Sequence, residues 1–467
     1  MQIFVNRPLA LLGAFVLFGL TQLAPLDAQT TSATPTLEAR YQGAASRIIS
    51  AALADSAAFA RLTELSDRFG HRFSGSESLE LALDWIFEGM RTDGLENVRN
   101  EPVMVPHWVR GEESAALIEP RRKPLPMLGL GGSIGTPPEG ITAELLVVES
   151  FEDLTARSAE AEGKIVLFDV PFTDYGTTVQ YRSRGAIAAA EVGAVASLIR
   201  SVTPYSMLTP HTGGMSYSED VPKIPHAAIT VEDAGLLHRM QARGERIVVQ
   251  LQMAAETLPD VPSRNVIGEI LGSESPEEII VVSGHSDTWD VGQGAMDDGG
   301  GIVAAWEAVR LLHELGLRPR RTVRAVMFVN EENGVRGGTG YRDAHINELD
   351  KHVLAIESDG GVFKPTALGF TGSDEAFEIL TGMEPLLAPL GVDITRGGGG
   401  VDIGPIMREG VPGMGLQVDG TRYFWYHHTA ADTIDKLDPR ELAECIAALA
   451  VMVYVVADME ETLPRVR

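Results

Sequence analysis

Cysteine is almost missing from this chain: one thiol, Cys445, stands among 467 residues. A single cysteine excludes any intrachain disulfide. It lies inside an apolar helical pattern and reads as an inert core residue. There is no Asn-x-Ser/Thr sequence either. Positive charge is scarce, with 38 Lys and Arg against 65 Asp and Glu and a formal charge of −27. Such a surface repels a phosphate backbone, which argues against a nucleic-acid partner, and otherwise serves solubility. Long apolar runs are missing as well. Leu9 to Leu20 and Cys445 to Ala457 both fall short of the roughly 20 residues a spanning helix needs, and Glu444 and Asp458 bound the second. No stable membrane insertion is expected of the mature chain, and no internal repeat is visible.

What is present begins with an export signal. Arg7, the apolar stretch Leu9 to Leu20 and the small-residue site Leu26-Asp27-Ala28 predict a signal peptide over 1–28, cut after Ala28. No lipoprotein cysteine follows. Export without disulfides or sequons fits a bacterial periplasmic or secreted protein. A Thr-, Ala- and Ser-rich lead-in runs from Gln29 to about Thr36. The length predicts two or three domains. Helical spacing covers Leu37 to Met90, broken once at Gly70 to Ser76 and resumed from Ser78, and a strand follows over Glu101 to Trp108. Gly131, Gly132, Gly135 and Pro137-Pro138 mark a boundary, and short β patterns then run to Met253 with no cluster of His, Asp or Glu among them. The reading is a first segment over 29–125, a separate small α/β or β-rich domain over 126–255, and a strand–helix alternation over 256–467 that carries the chemistry.

In that last segment His285, Asp297, Glu331-Glu332, Asp359 and His428 each follow an apolar β-branched run or sit in a glycine-rich or aromatic turn. An α/β sheet delivers its reactive groups at such places. Two imidazoles and four carboxylates suit one or two zinc-like ions with a position left open for water. Asp287, two residues after His285, is placed to accept from the second ring nitrogen and fix the tautomer. Asp297-Asp298-Gly299-Gly300-Gly301 reads equally as a helix cap and as a carboxylate bridging two cations. It is no phosphate loop, because the lysine and the Ser or Thr of that motif are missing. Two adjacent glutamates at a buried strand end divide naturally into a metal ligand and a general base toward water, though which is which stays open. Either His427 or His428 can ligate. The run Gly397 to Gly400 predicts a mobile pocket wall.

The segments Gly284 to Gly301, Glu357 to Gly360, Phe370 to Ser373, Tyr423 to His428 and Val455 to Glu461 together resemble the M28 metallopeptidases, the carboxypeptidase Q branch in particular. The resemblance implies a zinc-exopeptidase fold, a mixed sheet flanked by helices, with a protease-associated domain inserted over 126–255 and catalytic segments over 29–125 and 256–467. It implies two co-catalytic zinc ions. His285 and Asp359 hold one, Glu332 and His428 the other, Asp297 bridges them, and Glu331 is the general base. His428 is favoured over His427 because the family's ligand precedes a Thr or Ser. The family also implies a cis peptide after the bridging aspartate, a homodimer, and short unblocked peptides or dipeptides as substrates. Three other readings share the fold: a non-catalytic binding protein, a single-zinc acyltransferase of the glutaminyl-cyclase type, and a metal-dependent amidase or deacylase on a non-peptide amide.

Overall fold

The Thr36 side chain accepts the Ala39 N–H at 3.2 Å and starts the helix Leu37–Ala54, so the lead-in ends before that residue. The computed structural model describes residues 36–466; the expected signal peptide, its expected cleavage site and the rest of the expected lead-in lie outside them. The helical stretch breaks twice rather than once. Asp55 takes the Ala57 N–H at 2.7 Å to start Ala57–Phe69, and Ser76, not Ser78, caps Glu77–Thr92. Ser and Asp oxygens serve orphan N–H groups at helix starts, which places the boundary at the capping side chain.

A mixed eight-stranded sheet forms the main layer. Its order is Glu96–Val109, Glu256–Ile270, Arg321–Phe328, Ser275–His285, His352–Glu357, Gly413–Val418, Pro365–Thr371 and Asp393–Arg396. The central strands Arg321–Phe328, Ser275–His285, His352–Glu357 and Gly413–Val418 are parallel. Three of them match the apolar runs read from the sequence. Glu256–Ile270 did not stand out, because Pro259 and Pro262 read as strand breakers. It pairs antiparallel with Glu96–Val109, Met104 opposite Pro262. The helices Leu37–Ala54, Gly300–Glu314 and Pro439–Asp458 pack together beside the sheet and close the largest core. Asp438 caps the last of these, and the Cys445 thiol inside it donates to Phe363 O at 3.2 Å in that core. Among the described residues no helix is long and apolar enough to cross a membrane.

The second eight-stranded sheet draws on Glu113–Glu119 and Lys123–Leu125, ahead of residue 126, and runs to Val248–Met253. Glu113 pairs with Met253, so the chain enters and leaves this layer side by side. That pairing takes up residues whose local pattern gave no sign of a strand.

The tetraglycine run is placed by close backbone approach. A β-carbon on Gly400 would lie 2.0 Å from the Glu357 carboxyl carbon, and one on Gly398 would lie 2.1 Å from Gly369 O. These glycines let two backbones and a buried carboxylate meet at close range. Gly397 N–H to Phe370 O at 2.8 Å and Gly398 N–H to Thr371 Oγ1 at 3.1 Å hold the segment down.

Away from the site, His352 is fully buried between Tyr341 and the Glu348 carbonyl. Its Nδ1–H donates to Glu348 O at 3.1 Å, while Nε2 lies 2.9 Å from the Tyr341 hydroxyl, which Arg324 also contacts at 2.7 Å. Burial, opposed by the Glu348 carbonyl and helped by Arg324, pushes this imidazole down to about 3. The unfolded chain takes up that proton near the ordinary value of about 6.5 and the folded protein does not. The stability is therefore complete above that value and drains away as the pH falls through the window below it. Urea unfolding is expected to lose about 2 kcal/mol from this group between about pH 7.5 and about pH 5. His352→Gln flattens that part of the slope.

Candidate metal centre

Four of the six candidate side chains lie where a central parallel strand ends. His285 is the last residue of Ser275–His285, Glu331 and Glu332 follow Arg321–Phe328, and Asp359 follows His352–Glu357. Parallel strands that stop at one edge leave a crevice there, and their carboxyl ends point into it. Asp297 comes from the turn before Gly300–Glu314, with the Asp297–Asp298 peptide cis, and His428 from the loop before Pro439–Asp458.

The groups meet around Asp297. Its Oδ1 lies 3.4 Å from His285 Nε2, and its Oδ2 lies 3.3 Å from His428 Nε2. On the far side of His285, Asp359 Oδ1 is 3.3 Å away; on the far side of His428, Glu332 Oε2 is 3.1 Å away. Glu331 Oε2 stands 4.0 Å from His285 Nε2. His285, Asp297 and His428 are 1%, 6% and 8% exposed. Asp297 Oδ2 is buried and accepts no hydrogen bond. Ligand atoms around a tetrahedral zinc with bonds of about 2.0–2.1 Å sit about 3.3 Å from one another, so this spacing is that of donors facing a shared cation. His285, Asp297 and Asp359 form one such group. Asp297, His427 and His428 form another, with His427 Nε2 3.7 Å from Asp297 Oδ2 and its ring stacked on His428 at 3.5 Å. Glu332 is nearer to the His428 nitrogen than His427 is to Asp297, and it brings the charge that a divalent ion needs.

The electrostatics agree with that fit. Burial, reinforced by Asp297 and partly offset by His428, pushes Glu332 up to about 7. Burial also raises Glu331, against His285 and with Asp359, Glu332 and Asp402. Burial acts against the charged form of His428, but Glu332 and Asp297 prevail and push it up to about 9. The cluster holds more negative charge than its own side chains neutralise, and cations relieve that.

Main-chain clamps hold these groups. His285 Nδ1–H donates to the Asp287 carbonyl at 2.9 Å, and the Asp287 carboxylate stands 3.7 Å off. The expected carboxylate partner of the ring is thus a backbone oxygen two residues on. The carboxylate instead accepts the N–H groups of Glu331 at 3.0 Å and Glu332 at 3.2 Å, which aims the glutamate pair. Asp298 accepts the His285 N–H at 3.1 Å and the Gly301 N–H at 2.9 Å, so it anchors a strand end and caps a helix at once. Asp432 accepts the N–H groups of Met296 at 2.8 Å and Asp297 at 3.1 Å. Arg72, fully buried, donates to the carbonyls of Gly70, Ser286, Gln293 and Gly294, each at 2.9 Å. Arg72 carries no sequence signal beyond its glycine-flanked turn, since all its partners are backbone oxygens more than 200 residues away or next to it.

The second layer also reaches the centre. Thr212 O lies 3.3 Å from His428 Nδ1, and Arg182 Nη1 lies 3.4 Å from the same nitrogen. Arg182 Nη2 donates to the Tyr175 hydroxyl at 2.7 Å, and Tyr175 packs edge-on against His427. These residues were invisible in a segment read as free of ligand clusters, because none of them is a ligand type at ligand spacing.

A mixed sheet that gathers buried imidazoles and carboxylates at the ends of its parallel strands, with helices on its faces, is the zinc-exopeptidase fold. Residues 265–453 match Peptidase family M28. Carboxypeptidase Q of Xenopus laevis is 51% identical over 429 residues, covering 91% of this chain and 92% of that protein. Carboxypeptidase Q of Homo sapiens is 51% identical, covering 88% of each. A solved Peptidase M28 precursor from Shewanella amazonensis SB2B superposes with a TM-score of 0.89 at 36% identity, covering 92% of this chain and 99% of that one. The chain belongs to peptidase family M28 and is carboxypeptidase Q-like.

Proposed function

We propose that this protein is a zinc-dependent exopeptidase that hydrolyses dipeptides or short unblocked peptides. The observation that carries the reading is the chain of facing donors, Asp359, His285, Asp297, His428 and Glu332, with neighbouring gaps of 3.1–3.4 Å. His285 and Asp359 would hold one zinc ion, His428 and Glu332 a second, and Asp297 would bridge them. Zinc there would supply Lewis acidity toward a carbonyl oxygen and toward water. Glu331, beside that donor set and free of the bridging geometry, takes the proton from the attacking water and returns it to the leaving amine. Asp287 keeps Glu331 and Glu332 turned toward the centre through their N–H groups. Tyr175 and Phe424 pack against the His427 ring, which stacks on His428.

In the same reading residues 1–28 direct export to a periplasmic or extracellular space, the layer around 126–255 is a protease-associated insert, and the chain works as a homodimer, as the resemblance implies. The substrate is tested with the zinc-loaded enzyme on dipeptides, N-blocked dipeptides and aminoacyl amides, with product identification by mass spectrometry. Cleavage of the unblocked dipeptides is expected. Turnover confined to release of the acyl group from the N-blocked dipeptides would replace the peptidase reading with a deacylase.

A further inference from the structure

The second layer does more than cover the centre. Thr212, 1% exposed, forms a two-way pair with His428: its N–H donates to His428 O at 3.0 Å, and its carbonyl faces His428 Nδ1 at 3.3 Å. His428 has φ 61, a left-handed backbone that a residue with a β-carbon adopts at a cost. The Thr212 N–H pins the carbonyl of that turn. Thr212 O is the acceptor beside Nδ1, and Arg182 Nη1, 3.4 Å from both atoms, can donate to that carbonyl; with Nδ1–H directed at Thr212, the free lone pair of the ring is on Nε2, the atom that faces Asp297 and Glu332.

Thr212 is itself clamped. Its Oγ1 donates to Gly129 O at 2.8 Å and accepts from Arg110 Nη2 at 3.2 Å. Arg110 also donates to Gly129 O and grips Asp290 through both carboxylate oxygens, at 2.7 and 2.5 Å. Asp290 lies on the loop between His285 and Asp297. One buried guanidinium thus ties the loop that carries two candidate ligands to the residue that orients a third. Arg182 adds a donor to Thr212 O at 3.4 Å.

We infer that Thr212 is a positioning residue for the metal centre, set by the Arg110–Asp290 clamp, so that zinc affinity depends on the inserted layer. The inference rests on the reading of His428 as a ligand. Groups that orient a ligating histidine are typically worth about 10–100-fold in metal affinity. The test is zinc affinity by chelator competition on the full-length mature protein, together with the visible spectrum of the cobalt-substituted form. Thr212→Val keeps the shape and removes Oγ1; it is expected to bind zinc about 10–100-fold more weakly and to alter the cobalt bands. Thr212→Ser restores both. Asp290→Asn, which loosens the clamp at a partly exposed residue, moves affinity in the same direction as Thr212→Val and serves if that variant does not fold. Wild-type affinity in Thr212→Val or in Asp290→Asn overturns the inference, as does a Thr212→Ser protein as weak as the valine variant. His428→Ala separates the two readings. Full zinc content there sinks the ligand assignment itself, whereas lost zinc there with wild-type affinity in Thr212→Val sinks only the role of Thr212.

Discussion

Glu331→Gln is expected to lower kcat by about 10²–10⁴-fold while the protein keeps its zinc. Gln has the shape of Glu and no basicity, so the variant removes a proton acceptor and little else. The Glu331 N–H stays on Asp287 Oδ1 at 3.0 Å, so the side chain still emerges in the same direction. Its carboxylate is 4.0 Å from His285 Nε2, outside the 3.1–3.4 Å spacing of the five facing donors, which is why metal content should survive. Zinc per chain by atomic absorption and steady-state kinetics on one dipeptide check this together. Unchanged turnover refutes Glu331 as base; lost zinc makes it a ligand instead.

Asp297→Asn is expected to fail earlier, at binding. Both carboxylate oxygens of Asp297 face an imidazole nitrogen, and Oδ2 is buried without a hydrogen-bond donor. The amide removes one negative charge and turns one of those oxygens into an NH2 group that points hydrogens at the cation. Its backbone stays clamped by Asp432 at 3.1 Å, so the fold should hold while the metal leaves. The expected protein has wild-type circular dichroism, little bound zinc and activity down by more than about 10³-fold, since removal of a bridging charge disables both ions. A fully loaded Asp297→Asn protein would end the bridging assignment.

Much of the main layer was legible because buried parallel strands write themselves as continuous apolar runs. Ile279 to Val282 and Val323 to Val329 contain all the information needed to place His285 and the Glu331-Glu332 pair at strand ends. The last helix was legible from Asp438 and Pro439. Glu256–Ile270 was not, because its prolines argue against a strand locally; Pro259 falls at the register shift against Val105 and His107, and pairing with Arg321–Phe328 begins only at Val266, so both prolines lie where the strand has a neighbour on one side alone. The glycine run shows the same limit: four glycines signal freedom when read alone, and a close approach appears once Glu357 and Gly369 are seen against them.

The sequence by itself determined the donor types, their order along the chain and the strand ends that carry them, because those depend on local hydrophobic pattern and residue chemistry. Only the tertiary structure decided which oxygen faces which nitrogen, that a backbone carbonyl rather than the Asp287 carboxylate receives the His285 ring proton, and that Thr212, Arg110 and Arg72 serve the centre. Those contacts join residues up to 222 positions apart, many through main-chain atoms that every residue possesses. Local pattern contains no record of such pairings; they exist once the sheets close and bring the loops together.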